Sequence, residues 1–289
     1  MRNIDEHTIT DAFLRRLDDC ASPRLKEVLG ALVRHLHDFA REVRLTDAEW
    51  LEGIRFLTDT GRMCDDKRQE FILLSDTLGL SMLLVAMNQA KPAGATEATV
   101  FGPFHVDDSP RLPNGADMAG GAPGEPLFVD VQVVSADGSP LADAEVDVWQ
   151  ADQDGLYDVR VAGLEQRRAR GVFRSGADGR VGFRSVVPVA YPVPTDGPVG
   201  RLLVASGRHP WRPAHIHFLI KAPGHETLVT HLFRDGDPYL DSDVVLGVRL
   251  SLVVPIERHP PGPTPDGRRS DGVFHTLRHR FVLAPVQNA

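Results

Sequence analysis

The spacing of apolar residues changes once along the chain, at Gly94, and that change limits what the chain can build. Before it, apolar residues recur three and four apart. Leu25, Val28, Leu29, Leu32, Val33, Leu36, Phe39, Ala40 and Val43 follow Ser22 and Pro23, a serine cap with proline at the first helical position. Thr46-Asp47-Ala48-Glu49 is a capping box that opens a further helix with Trp50, Ile54 and Leu57 on one side. Helical patterns also fill Asp66 to Ala90. After Gly94, short β-rich runs alternate with Gly, Pro and Asp: Phe128 to Val134, Val146 to Trp149, Val181 to Phe183, Leu202 to Val204, Thr227 to Phe233 and Val244 to Val254. Short strands with turn signals between them, such as the Asp-Gly turns at 136–140 and 177–180, predict an antiparallel β-sandwich. The fold is therefore read as α+β, with an N-terminal helical domain over 1–93 followed by a β-sandwich over 94–289, and the Pro-rich stretch 260–267 as a surface loop.

Composition excludes several classes. At 289 residues, 42% hydrophobic and 25% charged, the chain has the make-up of an ordinary globular protein. A net charge of -8 argues against a nucleic-acid partner, which requires a clustered basic surface. Cys20 and Cys64 are the only cysteines and form no C-x-x-C, so they are read as reduced structural thiols. The start, Met1 to Glu6, has no apolar leader, and the greasiest run, Leu78 to Met87, is too short to span a bilayer. These features predict a cytoplasmic protein with no membrane insertion.

The chemistry concentrates in a few segments. In His215-Ile216-His217-Phe218-Leu219-Ile220, strand alternation puts both imidazoles and Leu219 on one face and Ile216, Phe218 and Ile220 on the other. The tyrosines are Tyr157, Tyr191 and Tyr239, and the first two sit in Gly- or Pro-punctuated segments, Gly155-Leu156-Tyr157-Asp158 and Ala190-Tyr191-Pro192-Val193-Pro194. A lone His-x-His is more often a satisfied core pair than a ligand, and a tyrosine at a strand end more often caps a loop. Together, however, two phenolates and two imidazoles would form a hard, anionic ligand set that favours Fe(III) over Fe(II). Such an ion with two tyrosinates and one hydroxide is neutral, which suits an apolar site. Two other readings stand beside this one. A β-sandwich could be a metal-free binding module, and a zinc or ferrous enzyme would use the histidine pair with a Glu or a third His. Colour separates them, because ferric tyrosinate is red-brown and the others are not.

Gly155-Leu156-Tyr157, Tyr191 to Val199, Gly207 to Phe218 and Ala222 to His225 resemble the signature of the intradiol ring-cleavage dioxygenases. The resemblance extends through Cys64 to Phe71 and Thr99 to Phe104, so it covers nearly the whole chain. Leu74 to Gly79, Thr227 to His231 and Pro238 to Asp243 are most similar to the hydroxyquinol-cleaving branch; catechol-type members generally have Gln in place of His231 and lack the acid at Asp76. The resemblance implies that Tyr157, Tyr191, His215 and His217 hold Fe(3+), that Tyr191 leaves the metal and takes a proton as the diol binds, and that Arg212 stabilises carbanion character on the ring. It also places Leu73, Asp76, Val100, Phe101, Gly102, Pro103, Phe104, Val193 and Pro194 around the substrate, with His231 as a further substrate-binding or supporting residue. The implied reaction is ortho cleavage with O2, turning hydroxyquinol into maleylacetate, or catechols and chlorocatechols into cis,cis-muconates. The implied assembly is a homodimer joined through the N-terminal helices, with an apolar tunnel that can hold a lipid.

Overall fold

The computed structural model describes residues 3–65 and 68–286. Asp66 and Lys67, which begin an expected helical pattern and belong to the resembling stretch, lie outside the described residues. The chain divides into two compact units, one running to Asp59 and the other starting at Thr60.

The first unit contains α1 (Ile9–Arg16), α2 (Pro23–Glu42) and most of α3 (Asp47–Arg62). Both helix starts form as the sequence dictates. The Ser22 hydroxyl accepts the Leu25 N–H at 3.2 Å. Glu49 accepts the Thr46 N–H at 2.9 Å while Thr46 accepts the Glu49 N–H at 3.3 Å, the reciprocal bonds of a capping box. The apolar stripe of α2 is not covered. Gly30 is its one buried residue, and Leu25, Leu32, Leu36 and Phe39 are each about half exposed.

In the second unit, α4 (Glu70–Thr77) packs against α5 (Leu80–Asn88) and α6 (Pro198–Ala205). The remainder is β1 (Pro126–Ser135), β2 (Glu145–Gln150), β3 (Arg170–Arg174), β4 (Arg180–Val186), β5 (Tyr191–Pro192), β6 (Trp211–Arg212), β7 (His215–Lys221), β8 (Leu228–Arg234), β9 (Val253–Val254) and β10 (Glu257–His259), then a small pair of β11 (Gly262–Pro263) and β12 (Arg269–Ser270), and β13 (Phe274–Leu283). Two sheets dominate, one in the order β3-β2-β7-β8-β9 and one in the order β10-β13-β1-β4. Every second residue faces the core. Leu127, Val129, Val131 and Val133 of β1 join Val146 and Val148 of β2 and Ile216, Phe218 and Ile220 of β7 in one buried cluster. That leaves the other face of β7 for His215, His217 and Leu219.

Three details depart from the expected pattern. The sheets are mixed and not wholly antiparallel: β1 runs parallel to β13, and β8 parallel to β9. Leu202 to Val204 lies in α6, where Gly197 is the cap, Pro198 opens the first turn and Val199 and Leu203 turn inward together. Val244 to Val254 is strand only at β9, because the Asp243 carboxylate takes the N–H groups of Val245 (3.3 Å) and Gly247 (2.9 Å) and ties that stretch into a loop. Among the described residues no single helix is long and apolar enough to cross a membrane; α4 and α5 pass that test only as a pair bent by 75°.

Candidate metal centre

Four chain segments bring their polar atoms to one point on the armed face of β7. Tyr157 stands just before a short 3-10 turn (Asp158–Arg160), and Tyr191 comes from β5, which pairs residue for residue with Arg212 on β6. The Tyr157 oxygen lies 3.0 Å from His217 Nε2, 3.2 Å from the Tyr191 oxygen and 3.5 Å from His215 Nε2. The imidazole nitrogens are themselves 3.2 Å apart. Donors each about 2 Å from a shared ion stand roughly 3 Å from one another, so these separations suit a single small cation. All four residues are buried.

The tautomer of His215 is set by its neighbour. Its Nδ1–H donates to the Pro213 carbonyl at 2.7 Å, which leaves Nε2 as a lone pair aimed at the cluster. Burial holds His215, His217 and His231 well below the ordinary imidazole range, with Arg212 adding to it at His215, His231 and His215 adding to it at His217, and His215 and Arg212 adding to it at His231. Neutral imidazoles are the form that binds metal. Burial, reinforced by Tyr191, pushes the Tyr157 phenol well above its ordinary value, so its proton leaves readily only when a cation replaces it.

Two glycines let the backbone come close enough to the cluster. Gly102 has φ +77°, and a Cβ there would stand 2.9 Å from His217 Cε1. Gly155 has φ +73°, and a Cβ there would stand 2.8 Å from Tyr191 Cβ. A side chain at either position would be strained by its own backbone and would also collide with one of the converging side chains.

The surrounding residues separate into groups. Arg212 is buried, donates from Nε to Asp243 at 3.3 Å and brings Nη1 to 3.2 Å from His215 Nε2. Phe104 stacks on Tyr157 at 4.3 Å, and with Leu73, Pro103 and Pro194 it lines a cavity of about 550 Å³. Val100 and Val193 pack in the apolar cluster beside Leu73, while the Phe101 ring leans on His105 at 4.7 Å. Asp76 does not line that cavity. It is buried on α4, where desolvation pushes its carboxyl above the ordinary range despite the Ser81 hydroxyl and the Arg212 charge. His231 lies opposite His217 in the β7–β8 ladder and shares a hydrogen bond between its Nδ1 and the Thr99 hydroxyl, while its Nε2 has no partner. His215, His217 and His231 together form a cluster able to hold a metal ion.

Several contributors had no signal in the sequence. Trp149 stacks on His217 at 4.8 Å, and nothing in its strand marks it as more than core. Asp147 fixes His105 at 2.8 Å. Arg170, buried beside Tyr157, donates from Nε to both oxygens of Asp158 at 2.9 Å and from Nη2 to the Phe104 carbonyl at 3.1 Å. Of these supports only Thr99 fell within a recognised stretch, the run Thr99 to Phe104.

Comparison with known proteins decides the family. The description "Dioxygenase" matches residues 101–278, and "Catechol dioxygenase N terminus" matches residues 22–96. The chain belongs to the intradiol ring-cleavage dioxygenases. Over 286 residues this dioxygenase is 64% identical to the 6-chlorohydroxyquinol 1,2-dioxygenase of Cupriavidus pinatubonensis, covering 99% of this chain and 100% of that protein. It is 53% identical over 282 residues to the hydroxyquinol 1,2-dioxygenase of Nocardioides simplex, covering 97% of this chain and 96% of that one. Its fold superposes on the crystal structure of hydroxyquinol 1,2-dioxygenase from Pseudomonas putida with a TM-score of 0.91 at 46% identity, covering 97% of this chain and 99% of that one. For catechol 1,2-dioxygenase from Pseudomonas arvilla the TM-score is 0.86 at 28% identity, with 99% and 94% covered.

Proposed function

We propose that this dioxygenase opens hydroxyquinol between its adjacent hydroxyls with O2 to give maleylacetate, using Fe(3+) held by Tyr157, Tyr191, His215 and His217. The observation that carries the reading is the buried Tyr157 oxygen standing 3.0–3.5 Å from the Tyr191 oxygen and from both imidazole Nε2 atoms, which are themselves 3.2 Å apart. Two anionic oxygens with two neutral nitrogens fit a hard trivalent ion better than zinc or ferrous iron. Bound there, Fe(3+) supplies the charge that stabilises phenolate and catecholate in an apolar setting and makes the ring reactive toward O2. The protein's own groups do the rest. Tyr191 takes a proton from the incoming diol, Arg212 faces the ring with charge fixed by Asp243, and Phe104 and Leu73 keep water from the stack. An absorption spectrum and iron assay of purified protein, followed by oxygen uptake on hydroxyquinol and catechol, test this; colourless protein after iron reconstitution overturns the ligand set.

Hydroxyquinol is favoured over catechol because relatives named for it are 46–53% identical to this chain, against 36% for the Candida albicans catechol enzyme and 28% for the Pseudomonas arvilla one. The relative at 64% is named for a chlorinated hydroxyquinol, so a 6-chloro ring is the second substrate to test. In this reading Asp76 accepts a hydrogen bond from the third hydroxyl, and His231 supports the site. One hydrogen bond to a charged acceptor contributes about 1.5–3 kcal/mol, so Asp76→Leu is expected to narrow the ratio of specificity constants, hydroxyquinol over catechol, by roughly ten- to a hundredfold. An unchanged ratio assigns the preference to cavity shape at Leu73, Val100 and Phe101.

The same reading makes residues 1–93 the contact between two copies, with a lipid in the apolar tunnel, and 94–289 the catalytic domain. The break between the two family matches, at 96 and 101, supports that division, and the half-exposed stripe of α2 supports the contact. Sedimentation at micromolar concentration is expected to give twice the chain mass, with an acyl chain in the organic extract. A monomer removes the dimer, and a clean extract from the dimer removes the lipid.

A further inference from the structure

The cavity beside Phe104 has a chemistry that an incoming diol does not need. Its lining combines the apolar Leu73, Pro103, Phe104 and Pro194 with the arginines Arg68, Arg160 and Arg167. Two of these charges are already matched. Arg68 binds Glu70 at 2.8 Å and Asp196 at 2.9 Å, and Arg167 meets both oxygens of Asp108 at 2.9 Å. Glu70, the one carboxylate on the lining, is buried and also accepts the Val199 N–H at 3.2 Å. Arg160 is exposed and makes no ion pair with a described carboxylate; its guanidinium carbon stands 6.0 Å over the Phe104 ring, the same ring that stacks on Tyr157 at 4.3 Å. The three guanidiniums are matched in number by Glu70, Asp196 and Asp108, but Arg160, whose charge reaches Asp196 only at a distance, is the one with no described carboxylate in contact, and it lies one aromatic ring away from the metal-site tyrosine.

Ring opening changes the charge of the molecule that reacts. A phenol with a pKa of about 10 is neutral near pH 7, so the free diol carries no charge. Cleavage places both atoms of O2 in the product and converts the two hydroxyl-bearing carbons into carboxyl groups, which ionise near pH 4. A neutral molecule enters and a dianion must leave.

We propose that Arg160, flanked by Arg167 and Arg68, forms an anion site in this cavity that binds the dicarboxylate product in preference to the neutral diol. The proposal rests on the ring-opening reaction above and extends it to a site outside the metal cluster. A guanidinium presents paired donors to a carboxylate, and the apolar residues of the lining receive the unsaturated carbon chain. Arg160 is the operative charge because the other two arginines already hold carboxylates.

The test uses iron-loaded enzyme, with cis,cis-muconate as the dianion probe and its dimethyl ester as the neutral probe, each measured by calorimetric titration and by competition against oxygen uptake. Native enzyme is expected to bind the dianion about three- to tenfold more tightly than the ester, the range of one or two partly exposed charge pairs. That advantage should vanish near 0.5 M salt, where the screening length falls to roughly 4 Å. Arg160→Gln should bring the ratio of the two affinities close to one, and Arg160→Lys should restore most of it. The anion site is overturned if native binding of muconate is indifferent to salt, or if the affinity ratio in Arg160→Gln equals that of the native enzyme. Oxygen uptake on hydroxyquinol and catechol is recorded first. An enzyme that opens neither ring overturns the functional reading, whereas ring opening with charge-independent product binding overturns the anion site alone.

Discussion

Tyr157→Phe protein is expected to purify with less iron and a weakened, shifted visible band, and to lose at least about a hundredfold in turnover. His231→Ala is expected to keep iron and colour and to change the rate. The difference follows from position. The Tyr157 oxygen is within 3.5 Å of the other phenol oxygen and of both His215 and His217 Nε2, so its removal deletes a donor from the centre of the cluster. His231 is tied through Nδ1 to Thr99 and stands at the cluster's edge. Changing groups that only orient a ligand typically costs 10- to 100-fold, and loss of a direct donor should cost no less. Because Phe retains the ring that Phe104 stacks on, the fold should survive, and circular dichroism alongside the iron assay checks that it does. Native iron content and an unshifted band in Tyr157→Phe would remove Tyr157 from the ligand set.

The second large effect is on stability. In Arg170→Met the Asp158 carboxylate would remain buried with only the Val159 and Arg168 N–H groups, at 2.8 and 3.4 Å, in place of its guanidinium. Breaking a buried pair from one side typically costs about 3–5 kcal/mol, which for a chain of this size lowers the melting temperature by on the order of 10 °C. The loss should be partly recovered in Arg170→Met with Asp158→Asn, since the stranded charge is then gone. A single variant that melts with the native protein would show that water enters and solvates Asp158. Arg170 also holds the Phe104 carbonyl, so the same variant should loosen the ring stacked on Tyr157 and broaden the visible band.

The parts of this molecule that the sequence made legible are those governed by local rules. Alternation along β7 separates His215 and His217 from Ile216, Phe218 and Ile220 without reference to anything distant, and the caps at Ser22 and Thr46 are spelled in four residues each. Where the governing partner is remote, the reading fails. Leu202 to Val204 is an aliphatic run too short for periodicity to distinguish strand from helix, and the deciding residues are Gly197 and Pro198 upstream. Val244 to Val254 is rich enough in branched residues to read as a strand, but the Asp243 carboxylate claims its N–H groups first. The parallel pairing of β1 with β13 joins segments far apart in the chain, and no local pattern carries that information. Trp149, Arg170 and Thr99 support the site by packing and hydrogen bonding, roles that many residue types fill elsewhere for structural reasons alone.

The cluster is assembled from segments around Tyr157, Tyr191, Arg212 and His215, which meet only when the β5–β6 pair and the β2–β7–β8 ladders are all in place. No single strand or turn carries all the donors. An ion bound there therefore doubles as a built-in reporter of cooperative unfolding, since bleaching records the moment these segments separate. It is also a selective reporter. The helices before Asp59 contribute no donor, so they can melt or exchange partners without any change in colour, and a difference between helical melting and bleaching would measure how independently the two units unfold.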